Sequence, residues 1–527
     1  MKLGWNKIVG EVAKRLPDFN DELLVGYKKR NINSCPDYLR EVFVAVTDHI
    51  NMSVHGIHVD YVGYEVLGPA EQVMYTSEHA RTKKQYNINE SCTRLVKYDF
   101  RVTSVNDAGA TVVEDQSVRL YLPYWVNNGV IINGRQYYFK HVMSDIIVRD
   151  SDHVIIKVMR SPIQCWRDTV VQLKDINGKE YPTAIVSIHA YHRGKDTSQK
   201  ARHPPLVLYF LAEFGFDEAL RRFDVLGKVE LVSEPSDDPD SVMFEIIKDS
   251  LYLRVDRCLL DDLYEARVVA SIWWILTSYK EDTIQYYSQI KDPVLYKSIL
   301  GKIVYGRSTT CGLAVSHAEK HLESLRTYLD VRTKKELDPD GRLMLHDIYD
   351  VLLYMFGSID MWLVNYSPND LFEKRLEGIN KTLYFLSCSI WSRVYQKTNK
   401  KLNASMLCKS VQVDPMSIKD IHSAECADTP KQYNDNQFLT ILVDKLRQSK
   451  PSDDAKQTKS SNKNNIQAPE HKFHPSFVAI ESVLSIPKSN PGIAGDINPF
   501  VRITPDGRFD KEATTWYKEI EPIKKYL

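Results

Sequence analysis

The chain has 527 residues, of which 43% are hydrophobic and 26% charged, with 69 Lys plus Arg against 69 Asp plus Glu. That size and mixture exclude a wholly disordered chain and a fibrous repeat, and they predict two or three domains. Zero net charge argues against a free-standing nucleic-acid coat, so any groove for DNA or RNA must come from local clustering or be completed by a partner. The eight cysteines (Cys35, Cys92, Cys165, Cys258, Cys311, Cys388, Cys408 and Cys426) include no C-x-x-C pair. They therefore read as reduced thiols of an intracellular protein, not as a zinc knuckle or a redox motif. The 30 tyrosines suit interfaces, and a lineage bias explains them equally well. Met1–Val9 has no apolar core of a secretory signal, and the most apolar stretch, Val268–Thr277, is about half the ~20 residues of a membrane span.

In chain order, residues up to about 125 look mixed, with loose alternation over Asn51–Val66 and a short strand at Ser117–Leu122. Asn133-Gly134 follows Val130, Ile131 and Ile132; both turn residues tolerate positive φ, which predicts a tight hairpin into Arg135–Phe139. Further strands are expected at His153–Met159 and Ala184–Ile188. Pro204-Pro205 can open a helix carrying Leu206, Val207, Phe210 and Leu211, which Gly215 breaks before a second one at Asp217–Arg222. Helices are also predicted over Leu259–Thr277, over His317–Leu329, and from Leu345 through Met355. Leu376, Ile379, Leu383, Leu386 and Ile390 recur at three and four residues, which predicts one long helix. Residues 449–470 hold one strongly apolar residue, Ile466, too little to offset the cost of ordering, and are expected to form a flexible insert.

Several patterns invite a catalytic reading and fail on chemistry. His317 and His321 share a helix face but lack the glutamate directly after the first histidine and any third ligand, so ordinary surface or packing histidines are expected. Asp338-Pro339-Asp340-Gly341 resembles the opening of a calcium loop, yet its glycine comes early and Tyr349 occupies the place of the closing glutamate. A turn is expected there. There is no phosphate loop, no nucleophile elbow, and no close-set aspartate triplet of the kind that holds catalytic magnesium.

Three separated segments resemble the β-like subunits of multisubunit DNA-directed RNA polymerases. Leu122-Pro123-Tyr124-Trp125 through Asn128-Gly129-Val130-Ile131-Ile132-Asn133-Gly134-Arg135 resembles an N-G-x-F-I-I-N-G hairpin, shortened by one residue and with Val130 in place of an aromatic-containing pair. Arg160-Ser161-Pro162 is similar to a short element downstream of it. Asp370, Lys374 and Arg375 fit a D-H-x-G-N-K/R-R segment that enters a long helix, although Phe372 and Glu373 depart from it. Pro204–Gly215 weakly resembles a buried helix of the same family. His474-Pro475-Ser476 followed by Asn490-Pro491-Gly492-Ile493-Ala494-Gly495-Asp496-Ile497-Asn498 resembles the region forming a fork beside the active centre. There the glutamate of the family's P-E-G is missing, so nucleotide contacts of the cellular enzymes do not carry over.

The resemblance implies a mixed α+β, multidomain fold. A protrusion-like domain would combine 1–150 with 371–448, a lobe-like domain would be inserted at 151–370, and 471–527 would form the fork-like segment. The chain would be the N-terminal half of a split β-like subunit, similar to those of giant tailed bacteriophages, because its sequence stops soon after the fork motif. It would supply channel walls for template and RNA–DNA hybrid and be inactive alone, with Mg2+ held by a partner subunit. Implied partners are the C-terminal β-like half, a β′-like subunit or its halves, a possible promoter-specificity subunit, template DNA and the hybrid, with no membrane; the implied location is the infected bacterial cell. Lys374, Arg375, Lys488, Arg502 and Arg508 are the expected phosphate contacts, since cationic side chains gain from phosphate proximity, and solvated surface charge is the rival reading. Pro491, Gly492 and Gly495 would form the fork backbone, the two glycines allowing close approach. Two other readings stay open: a non-enzymatic viral structural or interaction protein, and an inactive polymerase-derived DNA binder.

Overall fold

The computed structural model describes residues 26–54, 56–80, 92–105, 109–126, 130–132, 135–138, 142–145, 153–158, 161–190, 204–236, 238–305, 310–326, 329, 331–338, 340–364, 370–377, 379–398, 431–432, 474–480, 497–498 and 500–520. The expected insert at 449–470 lies outside them, as do Lys488, Pro491, Gly492 and Gly495. The chain divides into two compact units, Met1–Ile146 with Ser367–Leu527, and Ile147–Tyr366.

The first unit opens with helices α1 (Tyr27–Asn33) and α2 (Cys35–Ser53), strand β1 (Ile57–Val66), helix α3 (Pro69–Ala80), and strands β2 (Thr93–Val105) and β3 (Thr111–Pro123). On α2, Leu39, Val42, Phe43, Val46 and Ile50 recur at helical spacing and are buried, so one face of the helix covers the antiparallel β1–β2–β3 sheet. Phe43 meets Tyr98 at 4.7 Å and Phe100 at 5.5 Å, both edge-on. Asn51 locks the return strand: its amide donates to the Val59 carbonyl at 2.9 Å and its oxygen accepts the Val59 N–H at 2.7 Å. The sequence alternation at Ser117–Leu122 marks only the buried end of a 13-residue strand, whose other half is solvent-facing and carries no apolar period. Strand β4 (Val130–Ile132) then pairs with β5 (Arg135–Tyr138), Ile132 opposite Arg135, as Asn133-Gly134 predicts. Strand β6 (Val142–Asp145) follows.

The second unit starts with the antiparallel sheet β7 (His153–Val158), β8 (Ser161–Lys174) and β9 (Glu180–Ala190). Helix α4 (Leu206–Phe214) is buried from Leu206 through Ala212 on every side, which only a central helix can be. Pro205 precedes it, and Gly215 at φ +82° ends it, with its N–H on the Leu211 carbonyl at 3.0 Å. Around it lie α5 (Phe216–Arg222), strands β10 (Val229–Val232), β11 (Ser241–Ile247) and β12 (Leu251–Asp256), and helices α6 (Leu263–Ser278), α7 (Lys280–Gln285), α8 (Pro293–Tyr305), α9 (Cys311–Arg326), α10 (Val331–Leu337) and α11 (Ile348–Val364). Helix α6 begins later than its apolar pattern suggests. Asp262 caps it by accepting the N–H groups of Tyr264 and Glu265, while Leu259 sits in a preceding 3-10 turn. Two arginines converge on Asp360: Arg267, buried, at 2.7 Å, and Arg167. Burial alone would raise that carboxyl, but the bonds from Arg167 and Arg267 hold it below the usual carboxylate range.

Returning to the first unit, the chain forms β13 (Lys374–Glu377), α12 (Ile379–Thr398), β14 (Lys431–Gln432), α13 (Ser476–Ile480) and α14 (Trp516–Ile520). Here the expected long helix is corrected at its start. Ile379, Leu383, Leu386 and Ile390 do form the buried face of α12, but Leu376 belongs to β13, which pairs with β6. Leucine fits either period, and the pairing, not the spacing, decides it. Helix α12 also buries Trp391, whose ring lies 4.5 Å from that of His49 on α2.

Burial pushes the His49 imidazole down to about 4. Between the ordinary histidine value of about 6.5 and that figure, the unfolded chain takes up a proton that the fold refuses. Stability is therefore expected to be full above about pH 6.5 and to fall by about 3 kcal/mol as pH drops toward 4. Denaturant unfolding from pH 7.5 to 5 measures this, and a His49→Gln chain with the same slope would assign the effect elsewhere.

Candidate nucleic-acid interface

The first unit brings two of the three resembling regions together, residues 370–376 and the described residues of 474–498. Strand β13 pairs antiparallel with β6, Lys374 opposite Asp145 and Arg375 opposite Ser144. Its other edge meets the segment near residue 508: Arg375 bridges Arg508, and the Leu376 N–H donates to the Gly507 carbonyl at 2.8 Å. That edge is a tight turn, with Gly507 at φ +89°, the Thr504 N–H on the Arg508 carbonyl at 2.9 Å, and the Arg508 N–H on the Thr504 hydroxyl at 3.1 Å. The turn fixes where Arg508 can point, and its guanidinium Nε lies 2.9 Å from an Asp506 carboxylate oxygen.

A second junction ties residues 370–373 to 474–480. The Ser476 hydroxyl accepts the Leu371 N–H at 2.9 Å and lies 2.9 Å from His474 Nδ1. Asp370 accepts the Phe372 N–H at 3.0 Å, and one of its oxygens is 3.5 Å from the same ring nitrogen. Beneath both junctions, Leu371, Leu376, Ala479, Ile480, Ile497, Val501 and Phe509 make one small buried cluster. Trp516 closes it, its indole N–H donating to the Ala479 carbonyl at 2.8 Å.

Ser476, His474 and Asp370 invite comparison with a nucleophile triad, and the geometry excludes it. A working triad places serine and aspartate on opposite ring nitrogens, whereas both partners here meet Nδ1. The serine oxygen is also occupied by a backbone N–H. The carboxylates nearby serve the backbone or a neighbouring cation: Asp370 caps Phe372, Asp510 caps Ala513 at 2.8 Å, and Asp506 holds Arg508. Among the described residues no group of three or more His, Cys, Asp or Glu could hold a metal ion. In the second unit His321 is buried with Nε2 3.0 Å from the Tyr209 hydroxyl, which makes it the packing histidine of the two expected alternatives.

Of the five expected phosphate contacts, the fold sets Lys374 and Arg375 on β13, bridges Arg375 to Arg508, and places Arg502 on the same turn-bearing segment as Arg508. Their exposure differs. Lys374, Arg502 and Arg508 are half-buried, while Arg375 is only 7% exposed. Lys511 adds a cation that no motif flagged, its Nζ 5.9 Å from the Phe372 ring centre. The sequence offered no signal for Lys511 because its proximity to Phe372 arises only when the 500–516 segment folds against residues 371–376.

Among the described residues no helix is long and apolar enough to cross a membrane. The family model for the non-virion RNA polymerase subunit matches residues 6–523. No curated protein matches the chain.

Proposed function

The chain belongs to the non-virion RNA polymerase subunit family, and on that basis we propose that it is the N-terminal part of a split β-like subunit that lines the channel for template and RNA–DNA hybrid. The observation that supports this reading is the junction of residues 370–376 with residues 474–480, 497–498 and 500–509 on one small core, with β6 paired to the same strand, because it gathers two of the polymerase-like segments and most of the expected cations together. In this reading Met1–Ile146 with Ser367–Leu527 is the protrusion with its fork, and Ile147–Tyr366 is the inserted lobe. The assembly transfers a nucleoside monophosphate to an RNA 3′ end, with Mg2+ carried by a partner subunit, and this chain contributes walls and not the reacting groups. Lys488, Pro491, Gly492 and Gly495 complete the fork in the same proposal.

The cations divide by exposure. Lys374, Arg502 and Arg508 contact phosphates, and Arg375 supports their strand from within. Replacing Lys374, Arg502 or Arg508 by Ala is expected to shorten elongation-complex lifetime and to lower the log–log salt slope of template retention by about 0.7–0.9 for each phosphate no longer neutralised. Arg375→Ala is instead expected to cost about 1–3 kcal/mol of stability, from the packing lost with its buried side chain. Lifetimes measured across a salt series on the reconstituted assembly separate the two classes, and unchanged slopes for all three surface cations would return them to solvated surface charge. The subunit reading itself requires stoichiometric co-purification with a subunit bearing the catalytic aspartates and with the remaining β-like half. A chain that purifies alone, and whose removal leaves transcription intact, would overturn it in favour of a structural protein.

A further inference from the structure

The two edges of the β1–β2–β3 sheet are finished differently. On the β1 side the Leu95 carbonyl accepts the Leu67 N–H at 2.8 Å, and on the β3 side the Cys92 carbonyl accepts the Tyr124 N–H at 3.4 Å. These bonds fix the phase of both ladders: even-numbered residues of β3 bond to β2, and odd-numbered ones turn their N–H and C=O outward. The β1 edge is blocked at Val59. The same phase turns that residue outward, Asn51 takes both its backbone groups, and a bulge between Tyr61 and Gly63 interrupts the strand beyond it. The β3 edge has neither device. Its 13 residues pair with β2 without a register shift, and among the described residues the outward backbone groups of Val113, Asp115, Ser117 and Arg119 have no partner. A long, regular edge of this kind is a template for one more strand.

We infer that β3 pairs antiparallel with β3 of a second copy of this chain, across a two-fold axis at Ser117. Charge selects both the occupant and the register. With Ser117 opposite itself, Asp115 of each copy faces Arg119 of the other, and the overlap runs the full length of the strand. Shifting the axis to residue 115 or 119 sets Asp115 against Asp115 or Arg119 against Arg119. An axis at 116 or 118 leaves both charges opposite uncharged side chains. Both groups are open to such a partner. Asp115 keeps 73% of its side chain exposed while it accepts the Arg101 Nε at 3.0 Å. Arg119 is exposed, lies 5.4 Å from the Tyr75 ring centre, and has no carboxylate partner among the described residues. It stands opposite Lys97, which Asp99 holds at 3.0 Å, so Asp115 of the second copy supplies the anion that Arg119 lacks. Across the joined sheets the row then alternates in sign, from Arg101 to Asp115 to Arg119 of the second copy. A strand without this charge order would leave both groups unmatched, so they also bar general edge pairing. The inference concerns copies of this chain alone and does not rest on the polymerase reading.

Sedimentation of the full-length chain tests this. The unaltered chain is expected to run as a dimer in the micromolar range. Ser117→Pro removes an N–H that the β2–β3 ladder does not use, so it is expected to melt close to the unaltered chain and to run as a monomer at the same concentration. Asp115→Arg and Arg119→Asp, each alone, set like charges opposite each other and are expected to weaken the dimer about tenfold. Mixed in equal amounts, these two variants are expected to pair with each other at near the original strength, because every 115–119 contact is again opposite in sign. Loss of folding cannot imitate that rescue. An unaltered chain that stays monomeric overturns the inference, as does a dimer that survives Ser117→Pro, or charge variants that stay apart when mixed. A polymerase assembly that holds one copy of this chain and loses it on Ser117→Pro would give the edge to a strand of another subunit. That result would overturn the second-copy assignment and leave the subunit reading intact.

Discussion

Gly301→Ala is expected to disrupt the α8–α9 pair and to cost the Ile147–Tyr366 unit more than about 3 kcal/mol. A Cβ at that position would lie 2.0 Å from the Ala314 carbonyl oxygen, 2.6 Å from its carbonyl carbon and 2.9 Å from its Cα. All three are backbone atoms, so no side chain can rotate away and the helices must part. Their separation would open the packing that buries Leu295, Tyr296, Ile299 and Leu300 on one helix and Ala314, Ala318 and Leu322 on the other. Gly312→Ala is the control: it also lies on α9 but has nothing within 4 Å of the added atom. There, in the first turn of the helix, the substitution is expected to change stability by less than about 0.5 kcal/mol. Thermal unfolding of the two variants beside the parent decides the point. Equal melting of the Gly301→Ala chain and its parent would mean the two helices are not held this close.

Trp391→Ala is expected to be comparably severe in the first unit, at about 3–5 kcal/mol, since the indole is fully buried against His49 of α2 and its removal leaves a large cavity. A second consequence distinguishes this site from other core truncations. The cavity admits water beside His49, which weakens the desolvation that holds that imidazole at about 4. Its folded value should climb toward 6.5, and the loss of stability between pH 7.5 and pH 5 should flatten. Unfolding both chains in denaturant at those two pH values tests the coupling. A large loss with an unchanged pH dependence would show that something other than Trp391 dehydrates His49.

Both predictions concern scaffolding, and the proposed interface depends on it. The strand that carries Lys374 and Arg375 runs directly into α12, so the helix that packs Trp391 against His49 also sets the position of the cationic edge. Loosening α12 would shift Lys374 relative to Arg508 without touching either, and would lower nucleic-acid retention through geometry and not through charge. Salt slope separates these causes, because a displaced but intact cation set keeps more of its slope than a set with one cation removed.

Local chemistry alone carries several elements from residue type to structure. Asn133-Gly134 between apolar and polar runs forecasts the pairing of Val130–Ile132 with Arg135–Tyr138, and Pro205 with Gly215 brackets the helix Leu206–Phe214. In each case the deciding interactions span a few residues, so the information lies within the segment itself. Leu376 shows the opposite case. Its spacing to Ile379 and Leu383 satisfies a helix, yet it is a strand residue because Val142–Asp145 offers a ladder from far along the chain. Arg375 has the charge of a phosphate contact and is nonetheless buried, since its strand is flanked on one side by β6 and on the other by the turn at Arg508. Asp338 has the chemistry of a metal ligand and instead completes a turn that lifts Met344 into solvent. The bond between Leu371 and Ser476 joins residues 105 apart. Residue type sets what each group can bond or bury; which neighbour it meets depends on non-local pairing and packing, whose energies are shared among segments that no local window contains.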